Sequence, residues 1–201
     1  MSKLTLIVTA LLVTSSGAHA ANVQVYLSAD HLILSPGQQT TVHVAAQVFD
    51  AAPNNGLYAY ALNLLLDGID TGVLHIDTVT QFGMPDPLFS SSGSIDGFGL
   101  HDVYGGDGGF FTDPTRGIGA RYQFLQIELT AVTPGTAKVV AETANSAVFI
   151  GVPDGFLVQE PGPVVVDYGE PLSIQVIPEP ASAAVGIVGA SLLMWRRRGR
   201  H

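Results

Sequence analysis

Ten glycines and five aspartates share residues 81–119 of this 201-residue chain, and that stretch holds the first candidate chemistry. Asp96, Asp102, Asp107 and Asp113 are hard oxygen donors on a pliable, glycine-rich backbone, the kind of ligand set that calcium takes. The spacing departs from the D-x-[DN]-x-[DN]-G loop of an EF-hand, and no glycine-rich repeat recurs. Two expectations therefore stand side by side, a calcium site on these four aspartates and a plain solvated loop. No other cofactor is expected. His31, His43, His75 and His101 are scattered, with neither an H-x-H pair nor helical i,i+4 spacing, so only tertiary folding could assemble a zinc site from them. A Ser–His–Asp hydrolase lacks its G-x-S-x-G elbow here. A glycosidase pair of carboxylates depends on distances that the sequence does not contain. Tyr58, Tyr60 and Tyr104 could form an aromatic platform for sugars, or be strand tyrosines half-buried at a sheet rim. The expectation is a protein that is not an enzyme, with no catalytic residue.

The two ends carry a different kind of chemistry, that of being cut. Lys3 gives a small positive start, residues 4–13 are apolar, and Ala18-His19-Ala20 is an A-x-A cleavage site that leaves Ala21 as the new terminus. The predicted signal peptide is residues 1–20; an uncleaved N-terminal helix is the alternative. At the other end Pro178, Glu179 and Pro180 precede an uncharged run, residues 181–195, and then Arg196, Arg197 and Arg198. Fifteen residues make about 22 Å of helix, short of the ~30 Å hydrocarbon core. Trp195 suits the interface, and the arginines directly after it leave the C-terminus in the cytoplasm. The run is thus a transmembrane helix, short for a permanent anchor. An ordinary anchor and a buried helix are the competing readings.

Val176, Ile177, Pro178, Glu179 and Pro180, the Ala/Gly/Leu-rich run and Arg196 to Arg198 together resemble a PEP-CTERM sorting signal, with the signal segment itself at residues 177–201. The resemblance implies processing by an exosortase, a membrane-embedded cysteine transpeptidase-like enzyme, near the Pro-Glu-Pro motif. It implies a bacterial protein transiently anchored in the inner membrane and then released to the envelope or outside.

Between the signals lies one domain, residues 22–176, large enough to bury a core without staples. The chain has no cysteine, which excludes disulfides, a thiol nucleophile and thiolate metal sites. Only Arg116, Arg121 and Lys138 are basic between residues 21 and 180, against all 17 acidic residues, so the body carries 3 − 17 = −14. Nucleic acid is excluded as a partner on electrostatic grounds.

The elements that must position any site read as strands. Residues 23–27, 30–34, 39–48, 57–67, 72–79, 120–132, 136–142, 146–150, 164–167 and 172–176 alternate or run apolar, and Ser35-Pro36-Gly37 and Thr133-Pro134-Gly135 are turns. Val42, Val44, Ala46 and Val48 should face the core. Tyr58, Tyr60, Leu62, Leu64 and Leu66 should share one face, and so should Tyr122, Phe124, Gln126 and Glu128. Residues 81–119 show no clear period. The expected fold is all-β, an antiparallel jelly-roll-like sandwich. The order of these pieces resembles a cohesin-like domain: residues 23–27, Leu34 to Gln38, 41–48, 60–67, 73–76, 124–130 and Pro134-Gly135-Thr136. That resemblance implies a sandwich that docks other proteins or binds glycans, without singling out a dockerin partner.

The sequence thus points to an exported, non-enzymatic structural or adhesive protein of the bacterial envelope or extracellular matrix. Its expected partners are the exosortase, the membrane through the C-terminal helix, and extracellular polysaccharide or another surface protein. A glycan- or calcium-binding module is the alternative, and a secreted hydrolase the remoter one.

Overall fold

The computed structural model describes residues 20–49, 51, 54–67, 72–83, 90–106, 115–144, 152, 155–158 and 164–179. These residues form twelve strands and no helix. The first sheet has the order β11-β1-β3-β8-β5, from β1 (Ala21–Ala29), β3 (Gln39–Phe49), β5 (Leu74–Gln81), β8 (Tyr122–Ala131) and β11 (Val164–Asp167). The second has the order β2-β12-β9-β4-β7-β6, from β2 (Ile33–Leu34), β4 (Leu57–Asp67), β6 (Ser91–Asp96), β7 (Gly99–Gly106), β9 (Gly135–Thr143) and β12 (Leu172–Val176). The short β10 (Phe156–Val158) takes over from β9 beside the first residues of β4. Two edge pairs, β1 with β11 and β2 with β12, are parallel, and in each the two partners are far apart in sequence, as a parallel pair requires.

The core fills the gap between the sheets. On β3, Val42, Val44, Ala46 and Val48 point inward and are buried, as their alternation requires. On β4, Tyr60, Leu62, Leu64 and Leu66 do the same. Phe124 of β8 crosses to the other sheet, with its ring centroid 4.4 Å from Tyr60 and 5.8 Å, edge-on, from Phe156. Such tilted and edge-on contacts add to the area the rings bury.

Three irregularities depart from simple alternation. On β8 both Phe124 and Leu125 are fully buried, because the register against β3 slips between Val44 and Ala45. The bulge flips the strand, so Gln126 and Glu128 face away from Phe124's core side, not with it. At the start of β4 the register against β10 slips as well, so Leu57 enters the core while Tyr58 packs on the outer side. Residues 81–119, read as aperiodic, contain β6 and β7. The β6–β7 hairpin needs Gly99, whose φ is +145° and where a Cβ would lie 2.2 Å from the Leu64 carbonyl oxygen. The expected strand at residues 146–150 lies outside the described residues.

The register also orients the molecule. β1 begins opposite Phe49, and Val48 donates to the Gly117 carbonyl at that end. β12 finishes beside Gly135 and Leu34, next to the β8–β9 turn, at the opposite end. The chain therefore enters the sandwich at one end and leaves at the other.

Candidate functional site

The boundaries of the sandwich come first, since both processing motifs abut them. Ala21 opens β1 and is buried at once, paired with Val164 on one side. At the far end β12 closes on Val176, and the Ile177 amide donates to the Leu34 carbonyl at 2.8 Å. Pro178 and Glu179 follow, both exposed and outside any strand. Pro180, Arg196, Arg197 and Arg198, the 181–195 run, and Ala18 lie outside the described residues; Ala20 is half-buried just ahead of β1. Among the described residues no helix is long and apolar enough to cross a membrane.

Two of the four candidate calcium ligands are described. Asp96 ends β6 and accepts from the Phe98 amide at 2.7 Å and pairs with His101 Nε2 at 3.0 Å. The Phe98 amide foremost, with His101 adding to it, holds its carboxyl below the usual range against the opposing effect of desolvation. Its oxygens thus already close the hairpin turn. Asp102 sits on β7 at φ +55°, three residues beyond the Gly99 that pairs with Asp96. Asp107 and Asp113 lie outside the described residues. Among the described residues no group of three or more His, Asp or Glu side chains is arranged to hold a metal ion.

The three tyrosines separate. Tyr60 is buried in the core, 1% exposed, and its hydroxyl accepts from the Gln81 amide at 2.9 Å. Burial pushes its phenol well above the ordinary range. Gln81 also donates to the Ser91 and Tyr104 carbonyls, both at 3.0 Å, and so ties β5 of one sheet to β4, β6 and β7 of the other. Tyr60 therefore has no face to offer a sugar. Tyr58 and Tyr104 are half-buried on the outer side of the second sheet, packed with Leu157 around Ala59, Ala61, Ala144 and Val152.

Beside them lies a polar cluster that the sequence did not signal. Asn63 is 1% exposed on the outer side of β4, where the β4–β7 register slips between Leu62 and Leu64. Its carbonyl oxygen accepts from the Asp102 amide at 3.0 Å, and its amide donates to Glu142 Oε1 at 3.1 Å. Asn63 holds the bulge in which Asp102 takes its left-handed conformation. The sequence trace was one polar residue inside the apolar run of β4, ahead of its terminal Asp67.

The histidines stay apart. His43 Nε2 pairs with Asp30 Oδ1 at 3.0 Å, and its Nδ1 lies 3.1 Å from the Gln123 amide, on the outer face of the first sheet. Hydrogen bonding by His43 keeps the Asp30 carboxyl below its ordinary value near 3.8. His31 brackets Thr40 through its backbone, and His75 is exposed on β5. Arg121 stacks on Tyr26, 3.6 Å from the ring centroid.

The described chain is therefore an all-β sandwich with one large apolar core between its sheets and a smaller apolar cluster on the outer side of the second sheet. No family model matches it, and no curated protein matches it. Solved structures of cohesin modules overlap it in part. The domain CaCohA2 from Clostridium acetobutylicum shares 11% identity, covers 77% of this chain and 90% of its own, at a TM-score of 0.49. The cohesin module of a Clostridium perfringens family 33 glycoside hydrolase shares 8%, over 80% and 98%, at 0.45. A type II cohesin domain from the Acetivibrio cellulolyticus cellulosome shares 14%, over 78% and 95%, at 0.46. The assignment to the sandwich class rests on the chain's own strand pairing and core.

Proposed function

We propose that this chain is an exported, non-enzymatic β-sandwich protein of the bacterial envelope or extracellular matrix, delivered by a removable C-terminal sorting signal. One observation carries the reading. The sandwich starts at Ala21, the residue after the A-x-A motif, and its last strand ends at Val176, two residues before Pro178. Among the described residues, the buried core lies wholly between the two motifs. A cysteine-free body of formal charge −14 is soluble once released and needs no oxidative folding. The exosortase is the processing partner in this reading. Work at the surface falls to the outer faces of the two sheets and their loops. Replacing Pro178, Glu179 and Pro180 by alanine and fractionating cells tests it. Retention of a longer chain in the membrane is expected, and unchanged processing and location would refute the sorting role.

A polysaccharide ligand is the second reading, favoured by Tyr58 and Tyr104 flanking the Asn63, Asp102 and Glu142 cluster on one outer face. Aromatic faces beside amides and carboxylates suit sugar rings and their hydroxyls. Calorimetry with envelope polysaccharide would give heat that Tyr104→Ala abolishes. Absence of heat in the unaltered protein would remove this reading.

A further inference from the structure

Nine large apolar side chains are exposed among the described residues, and six of them sit at the end where the chain leaves the sandwich. Leu32, Ile33 and Ile177 flank the β2–β12 edge. Val132 lies in the β8–β9 turn. Ile95 and Phe98 lie at the tip of the β6–β7 hairpin, Phe98 being 70% and Ile33 62% exposed. Phe49, Phe82 and Val165 are at or near the other end. Strands β2 and β6 are the two edges of one six-strand path. At about 4.8 Å per step the row is about 24 Å wide. Exposed apolar side chains spread over that width fit a plane better than a compact partner.

The chain outside the described residues says which plane. The Ile177–Leu34 hydrogen bond fixes where the backbone exits. Only Pro178, Glu179 and Pro180 then separate Ile177 from the apolar run 181–195. Two prolines in three residues favour an extended linker of about 3.1 Å per residue, so the gap spans about 10 Å. The headgroup layer on each side of a bilayer is about 5–8 Å deep. The span is itself short, which draws the body closer still. We propose that, while the tail is embedded, this apolar rim rests in the headgroup layer of the bilayer and holds the sandwich upright, with the β1 entry end facing away. The proposal rests on reading residues 181–195 as a membrane span. Asp67 and Lys138, paired on β4 and β9, lie between the two apolar groups at this end, and Asp30 and Asp96 lie beside them. The acidic excess makes a zwitterionic surface the preferred partner over an anionic one.

The absence of native cysteine allows a direct test with the full chain. Ile33→Cys, Phe98→Cys, Val165→Cys and Leu192→Cys would each be labelled with a small fluorophore. Each labelled chain would be reconstituted in phosphatidylcholine vesicles that carry a doxyl-quencher lipid. The expected result is strong loss of emission at positions 33, 98 and 192, and emission at 165 close to that in quencher-free vesicles. Quenching at 192 without quenching at 33 and 98 would overturn the rim contact and leave the span intact. No quenching at 192 would overturn the span and the rim contact together. Equal quenching at 33 and 165 would also overturn it, because no end of the sandwich would then be preferred.

Discussion

Replacing Asn63 tests the outer polar cluster as a structural device. Asn63→Ala removes the acceptor for the Asp102 amide at 3.0 Å and the donor to Glu142 at 3.1 Å. A backbone amide left without its partner beside a buried side chain costs about 1–3 kcal/mol. Glu142 is half-exposed, so water recovers much of its loss, and about 0.5–1 kcal/mol is a fair share for it. The expected destabilisation is about 1.5–4 kcal/mol. With a urea slope of about 2 kcal/mol per M, that is a downward shift of about 0.8–2 M in the unfolding midpoint. The chain trimmed to residues 21–179, followed by circular dichroism, is the assay. Asn63→Asp separates the two bonds. It keeps an oxygen for Asp102 but places a carboxyl against Glu142. Burial and the neighbouring charge raise the folded-state pKa of that new carboxyl above its unfolded value. Its stability is therefore fully present below the unfolded pKa and is lost as pH rises through the folded one. The variant should be closest to the parent at low pH and fall behind as pH climbs toward 7. An Asn63→Ala midpoint within about 0.2 M of the parent, or an Asn63→Asp deficit independent of pH, would refute the assignment of Asn63 to the bulge.

Further outcomes follow from the same geometry. Gly99→Ala drives a Cβ into the Leu64 carbonyl and forces a side chain into a positive φ, so it should cost several kcal/mol and lower the thermal midpoint more than Gly97→Ala, where the space is open. Phe124→Ala empties the contact between Tyr60 and Phe156 and should cost about 3–5 kcal/mol in urea unfolding. Gln81→Ala should weaken the tie between the sheets, and a double-mutant cycle with Tyr60→Phe should show coupling of about 1 kcal/mol; zero coupling would contradict the tie. Asp30 and Asp96 both have carboxyls held below their ordinary value, so the stability they add is present above that value and is lost as pH falls through their folded pKa. The double variant Asp30→Asn, Asp96→Asn should therefore lose part of the acid-induced drop in thermal midpoint. Calcium titrated by calorimetry into the protein and into Asp107→Asn, Asp113→Asn decides the glycine-rich segment's candidate ligands: heat that survives in the variant would place any calcium elsewhere.

The strands with strict alternation or strong apolar runs could be read from the sequence, because burial of one face imposes its period on the residues. β1, β3, β4, β5, β8, β9, β11 and β12 fall within a few residues of where pattern put them. The hairpin β6–β7 could not be read. β6 is an edge strand of Ser, Gly, Ile and Asp with no fully buried residue, so nothing selects its period. On β7 the bulge at Asp102 moves Leu100 and Val103 to an odd spacing on the core side. The bulge in β8 likewise defeated the alternation of Phe124 with Leu125. Two buried neighbours in a row look like noise until the partner strand shows the slip. Tyr60 illustrates the limit for sites. A tyrosine in a strand reads as a candidate platform, and only packing against Phe124 shows that it is core. Asn63 shows the converse, a lone polar letter whose role depends on Asp102 and Glu142, far away in sequence.

The most direct test of the central claim is the intact mass of the protein recovered from the envelope and medium of the cells that make it. Export with removal of both signals predicts an N-terminus at Ala21 and a C-terminus at or near Pro178, Glu179 and Pro180. A mass that still includes the apolar run and the terminal arginines, or that begins at Met1, would contradict it.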